Sequence, residues 1–247
     1  MRCRGATAAS LALFALWPAG AAALPGHGPR EDIDQRFTSQ RPHSASGVSY
    51  TGVYHAADKP KGNPPYLVKM IFYPPKGTRY DTSVPAKCTA TDAQLMALGK
   101  AACPAASRIG GGRAQGIFYE PVAQSFIFDR YDHTMDVLNN TNEQILLVNA
   151  EGSAVERGTI RPDGTILFTP QTCFPEPPTG CVNDYILQRR SATTVARYTR
   201  AVNGRTRSYV TTPPRCPASG YWKTTVKFWW KGGAVDTVVS KQPCRRG

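Results

Sequence analysis

Acidic residues, histidine and long apolar runs are all scarce in this sequence. Against 30 Lys and Arg there are 17 Asp and Glu, and only four His, so the 247-residue chain carries a formal charge of +13. After the first 23 residues no stretch approaches the roughly 18 unbroken apolar residues expected of a membrane-spanning helix, and no transmembrane segment is predicted in the mature chain. The histidines (His27, His43, His55 and His133) are dispersed and no Cys-x-x-Cys pair occurs, so the ligand spacing of a zinc site is missing. The sequence calls for no metal and no cofactor. Gly-x-Ser-x-Gly, His-Glu-x-x-His and a glycine-rich loop ending in Gly-Lys-Ser/Thr are all absent, which removes the usual nucleophile elbow, the zinc-protease helix and the phosphate loop. Gly110-Gly111-Gly112-Arg113 is accordingly read as a turn entering a strand. Long helices are excluded as well, because 21 Pro and 22 Gly interrupt the chain too often for a bundle or coiled coil. With 41% hydrophobic and 19% charged residues, disorder throughout is excluded too.

What is present begins with a leader. Met1, Arg2, Cys3 and Arg4 precede an apolar run from Ala6 to Trp17, and Pro18 to Ala23 ends it in small side chains. A charged start, a short apolar core and small residues at the cut form a signal peptide, so residues 1–23 are assigned to it, with cleavage before Leu24 and export from the cytoplasm. An exported protein meets few nucleic acids, and no nucleic-acid partner is expected. Its basic charge either serves solubility alone or suits an anionic cell-wall polymer, polysaccharide or lipid head group. Oligomeric state is not legible.

Removing the leader takes Cys3 and leaves Cys88, Cys103, Cys173, Cys181, Cys216 and Cys244. An even number in an exported chain predicts disulfides. The six fall as three local couples, so the expected bridges are Cys88 with Cys103, Cys173 with Cys181, and Cys216 with Cys244.

Residues 24–46 are polar and rich in breakers and read as a flexible N-terminal arm, while 47–247 read as one domain. Short apolar or alternating runs are expected as strands at 48–55, 66–73, 117–120, 125–130, 135–138, 145–148, 153–160, 165–168, 184–189, 207–211, 221–231 and 234–240. One helix is predicted, with Thr91 or Asp92 as N-cap, Leu95, Met96 and Leu98 as its apolar face and Gly99 as its stop. At about two turns it is too short to persist alone. The expected architecture is all-β: a β-sandwich with a short helical insertion clipped by Cys88 and Cys103.

Several motifs carry a resemblance. Pro74-Pro75-Lys76-Gly77, Cys88, Ala93-Gln94-Leu95, Gly99, Ala102-Cys103-Pro104 and Ile109-Gly110-Gly111-Gly112, together with Tyr209 to Pro217, Gly220-Tyr221-Trp222 and Gln242-Pro243-Cys244, resemble a group of uncharacterised secreted, mainly actinobacterial, disulfide-containing β proteins. The resemblance implies export and an all-β fold, and it brings no activity or catalytic residues.

Two constellations are candidates for function. Asp129, Asp132, His133 and Asp136 place carboxylates near an imidazole, as a secreted hydrolase acting on glycans would need for general acid–base chemistry; the other reading is a polar hairpin connection between two apolar runs. In the strand from Tyr221 to Lys231, alternation puts Trp222, Thr224, Val226, Phe228 and Trp230 on one face and Tyr221, Lys223, Thr225, Lys227, Trp229 and Lys231 on the other. The first face is core. In the second, Tyr221, Lys223, Lys227, Trp229 and Lys231 form either a binding surface for an anionic polymer or a solvated face whose lysines discourage edge pairing. The favoured function is a non-enzymatic binding or structural module of the cell envelope or extracellular space.

Overall fold

A computed structural model describes residues 22–122, 125–149, 154–169, 174–176, 180–182 and 186–245; the leader assignment lies outside the described residues. The strands are β1 (Gly26–His27), β2 (Glu31–Phe37), β3 (Ala45–Ser46), β4 (Val48–Tyr54), β5 (Leu67–Tyr73), β6 (Arg79–Tyr80), β7 (Arg108–Val122), β8 (Ser125–Asn140), β9 (Glu143–Asn149) and β10 (Ala154–Ile160). They continue with β11 (Ile166–Thr169), β12 (Phe174–Glu176), β13 (Gly180–Val182), β14 (Ile186–Val195), β15 (Thr199–Val202), β16 (Arg205–Ser208), β17 (Val210–Thr211), β18 (Tyr221–Trp230) and β19 (Val235–Pro243). Helix α1 (Asp92–Leu98) lies between β6 and β7.

Twelve strands form one sheet in the order β1-β2-β4-β14-β7-β8-β9-β10-β11-β5-β18-β19. Its two ends meet. Leu24 and Lys241 exchange both backbone hydrogen bonds, at 2.8 and 2.9 Å. Beyond the reach of the two-residue β1, side chains take over the role of the backbone ladder. The Gln242 amide accepts from Phe37 N at 2.6 Å and donates to Phe37 O at 2.7 Å, and Ser240 Oγ accepts from Gln35 N at 3.1 Å. The expected all-β chain is therefore observed, but the sheet curls into a near-barrel and does not separate clearly into the two layers of a sandwich. Inward and outward residues alternate in both architectures, so alternation alone could not distinguish them.

The near-barrel is filled with rings. Tyr50, Tyr54, Phe72, Phe168, Phe228 and Trp230 are all buried. Edge-on contacts join Tyr50 to Phe72 at 5.1 Å, Phe72 to Phe168 at 5.8 Å and Phe37 to Trp222 at 5.8 Å, a geometry worth about 0.5–1.5 kcal/mol per pair beyond the area removed from water. The small sheet β3-β17-β6 packs against this core through Tyr209 and Val210, and Gln144 donates to the Tyr209 hydroxyl at 2.9 Å.

Outside the sheet, α1 covers β8 to β10. Leu95 and Cys88 pack with Leu138, Ile145, Leu147 and Val155 in a second, outer core. Thr91 caps the helix in a reciprocal box with Gln94, and Gly99 ends it at φ 59°. Cys88 and Cys103 are bonded, with Cα atoms 4.9 Å apart, and Cys216 and Cys244 are bonded with Cα atoms 5.5 Å apart. The expected Cys173–Cys181 bridge lies outside the described residues; Cys181 itself is placed in β13, opposite Pro175.

Three expectations are corrected. Residues 24–46 are not a flexible arm. They supply β1, β2 and β3, with Ile33 and Phe37 buried; the inward row Glu31, Ile33, Gln35, Phe37 is half polar, which hid its alternation. Gly110 to Gly112 do not form a turn but lie within β7, paired to β14 on one side and β8 on the other. A Cβ at Gly110 or Gly112 would fall 2.0 Å from the carbonyl oxygen of Thr194 or Ala192, so close backbone approach is what requires glycine there. Residues 129–136 are not a hairpin connection either: they are the middle of β8, one continuous 16-residue strand.

Candidate functional site

Strand β18 lies between β5 and β19, and its burial alternates along its length. Trp222, Thr224, Val226, Phe228 and Trp230 are buried as expected, with exposures of 4% or less. Their neighbours Tyr221, Lys223, Thr225, Lys227 and Trp229 point outward and are half-buried or exposed. Lys231 follows on the exposed turn, and its amide is tied to the Tyr66 carbonyl at 2.8 Å.

Cross-strand register builds this row into a surface. Trp229 faces Lys69 of β5 and Val235 of β19, Lys227 faces Ile71 and Thr237, and Thr225 faces Tyr73 and Val239. Lysine ammonium groups sit over rings: Lys69 Nζ is 4.1 Å from the Trp229 centroid, Lys231 Nζ 5.3 Å from Tyr66 and Lys227 Nζ 5.9 Å from Tyr73. Each such contact is worth about 0.5–1 kcal/mol at an exposed site, and it holds the charge beside a flat apolar surface. At the Cys216–Cys244 end of the surface, Lys223 is paired directly with Lys241. Like charges in directly opposed cross-strand positions repel. β5, β18 and β19 themselves supply no outward carboxylate, because Asp236 is their only acidic residue. It points inward, 7% exposed, and Arg30 holds it through two hydrogen bonds of 2.8 and 3.0 Å. Val68 and Val235 add exposed apolar area at the other end. Lys69, Tyr66, Tyr73 and Lys241 were not singled out from the sequence, because register and not spacing brings them beside β18.

Among the described side chains, Asp132, His133 and Asp136 do not gather into one cluster. Asp132 and Asp136 share the outer face of β8 but are four residues apart, about 13 Å along a strand. Asp132 is exposed and accepts from Arg113 Nε at 3.0 Å and Gln115 Nε2 at 2.9 Å. The Arg113 guanidinium, with the Gln115 amide, holds its carboxyl below the usual carboxylate range. Asp136 is buried, ion-paired with Arg108 and bonded to the Asn149 amide at 3.0 Å. His133, by alternation, faces the other side of the sheet, opposite Ala114. Asp129 stands opposite Phe118 in the ladder, and its side chain lies outside the described residues.

Two interior carboxyls escaped the sequence reading. Glu31 is fully buried, accepts from Arg30 N at 3.0 Å and lies beside Asp236. Burial, reinforced by the Asp236 charge, pushes its carboxyl up to about 8. Burial alone pushes Glu156 up to about 7. The only signal in the sequence is that Glu31 shares the parity of Ile33 and Phe37. Between these walls the barrel core retains a cavity of about 60 Å³ beside Tyr50, Met70, Gln144 and Ser191.

Among the described residues no group of three or more His, Cys, Asp or Glu is placed to hold a metal ion, and no helix is long and apolar enough to cross a membrane. The chain matches no protein-family model, no curated protein and no solved structure.

Proposed function

We propose that the protein is an exported, non-enzymatic binding module that holds an anionic polymer of the cell envelope, a wall polymer or acidic polysaccharide, on the outer face of β5, β18 and β19. The observation that carries this reading is the direct opposition of Lys223 and Lys241 on a three-strand surface with no outward carboxylate. A polyanion relieves that repulsion, while Trp229, Tyr73 and Tyr221 offer ring faces to sugar or polyol units. Lys223 and Lys231 are eight residues apart, about 26 Å along the strand, a span suited to several units of a linear chain. The two disulfides among the described residues fit work outside the cytoplasm.

The test is co-sedimentation with purified anionic wall polysaccharide over a salt series. Retention is expected to fall as salt rises, and the triple change Lys223→Glu, Lys227→Glu and Lys231→Glu is expected to abolish it while the chain still unfolds cooperatively, with a midpoint moved only by the two lost cation–π contacts and the relieved Lys223–Lys241 repulsion. Retention by the triple variant equal to wild type contradicts the reading.

A further inference from the structure

The end of the barrel that carries the β3-β17-β6 sheet has a second basic feature that the β18 surface does not include. Strand β6, the loop at 81–83, Asn142, the turn at 161–164 and Arg207 of β16 together line a groove of about 630 Å³, within the range of about 300–1,000 Å³ that small-molecule sites occupy. Three arginines line it, Arg79, Arg161 and Arg207, against a single acidic residue, Asp81. That carboxylate is already engaged: Arg207 Nη2 lies 2.6 Å from Asp81 Oδ2, and Asp81 Oδ1 accepts from Ser83 Oγ at 2.7 Å and Ser83 N at 3.2 Å. Asp163, in the same turn as Arg161, accepts from the Thr165 amide at 2.9 Å and also feels the Arg161 charge, and it does not line the groove. Arg79 and Arg161 form no ion pair with any described residue.

The walls of the groove are fixed before any ligand arrives. Thr82 Oγ1 accepts from Asn142 N at 3.1 Å, and the Thr82 carbonyl accepts from Asn139 Nδ2 at 3.0 Å. The turn at 161–164 presses against Thr78 so closely that a Cβ at Gly164, where φ is +84°, would lie 2.9 Å from the Thr78 carbonyl oxygen. A preformed recess lowers the ordering cost of binding. Arginines that converge from separate segments, with less negative charge than they carry, complement an oxyanion. A tetrahedral phosphoryl group has three or more oxygens and up to two charges to offer both walls at once, whereas a carboxylate has two oxygens and one charge. The groove is also far larger than a bare anion.

We infer that this groove binds a phosphate ester of a small polyol or sugar, its phosphoryl group held between Arg79 and Arg161 and its carbon skeleton in the remaining recess. The test is calorimetric titration of the full exported chain, disulfides intact, with glycerol phosphate, inorganic phosphate, glycerol and acetate. Glycerol phosphate is expected to bind, inorganic phosphate to bind more weakly, and glycerol and acetate to give no heat. Replacing both arginines (Arg79→Gln and Arg161→Gln) removes the charge-assisted hydrogen bonds to the phosphoryl group and is expected to weaken glycerol phosphate by tenfold or more. The Lys223, Lys227 and Lys231 to Glu variant is expected to bind it as wild type does, so this site stands or falls apart from the β18 surface. No binding to the wild type, affinity for acetate equal to that for the phosphates, or retention within twofold in the double arginine variant overturns the inference. An equal loss in the lysine variant also overturns it, because net charge alone would then account for the attraction.

Discussion

Replacing Glu31 with glutamine should reverse the usual consequence of losing a buried charged residue. In the folded chain the Glu31 carboxyl titrates near 8, against 4.5 for its ordinary value, because burial and then Asp236 oppose its ionisation. Between those two values the folded state keeps a proton that the unfolded chain has released. Folding is therefore favoured by low pH: this contribution is fully present below about 4.5 and is lost as pH rises through about 8. At about 1.36 kcal/mol per pH unit, a window of that width corresponds to roughly 4–5 kcal/mol as an upper figure. The glutamine side chain would keep the shape, accept from Arg30 N and donate to Asp236 without titrating. Urea unfolding of wild type and Glu31→Gln, followed from pH 4.5 to 9, isolates the Glu31–Asp236 pair, because the contributions of groups that do not touch it cancel in the difference. The variant should match wild type near pH 4.5 and exceed it by several kcal/mol near pH 9. Parallel stability curves, or a variant equally destabilised at every pH, would refute the reasoning.

Three further outcomes follow from the packing. Phe228→Ala, which removes a fully buried ring stacked 5.9 Å from Trp230, should cost about 3–5 kcal/mol in urea unfolding, whereas Thr237→Ala on the outer face should stay within about 0.5 kcal/mol. Gln242→Ala leaves Phe37 N and O without their partner at the seam; a loss of about 1–3 kcal/mol is expected, with hydrogen-exchange protection falling first at Phe37. Replacing Cys88 and Cys103 together with Ser opens a loop of sequence separation 15 and should cost about 3 kcal/mol, with the loss centred on α1 and the outer faces of β8 to β10.

The legible part of the fold was the part written in apolar alternation. Strands β4, β5, β9, β10, β18 and β19 and the capped helix α1 fall within a few residues of where turn residues and period-two patterns place them. Alternation in β18 also separated core from surface residue by residue. Polar inward positions broke the pattern elsewhere. Glu31 and Gln35 concealed β2, and in β8 Asp132 and Asp136 looked like loop residues because Arg113, Gln115 and Arg108, which pair with them across the sheet, belong to a different strand well upstream in sequence. The glycines of β7 were misread for a related reason: their role is close approach to Thr194 and Ala192, which only strand order reveals. Closure of the sheet likewise depends on Leu24, Ser240 and Gln242 meeting partners more than 200 residues distant. For the proposed binding surface, half the residues were visible in one strand and half arrived from β5 and β19.

The central claim, that a polyanion lies along the outside of β18, is tested most directly by mapping amide and Trp indole shifts while an anionic wall polysaccharide is titrated into the isotope-labelled protein. Trp222 and Trp230 are buried, so Trp229 is the outward-facing indole of this strand. The account predicts saturable shifts at Lys69, Tyr73, Lys223, Lys227, the Trp229 indole and Lys241, with those of Trp222 and Trp230 still. Shifts confined to other strands, or none at a polymer concentration that retains the protein on a solid support, would contradict it.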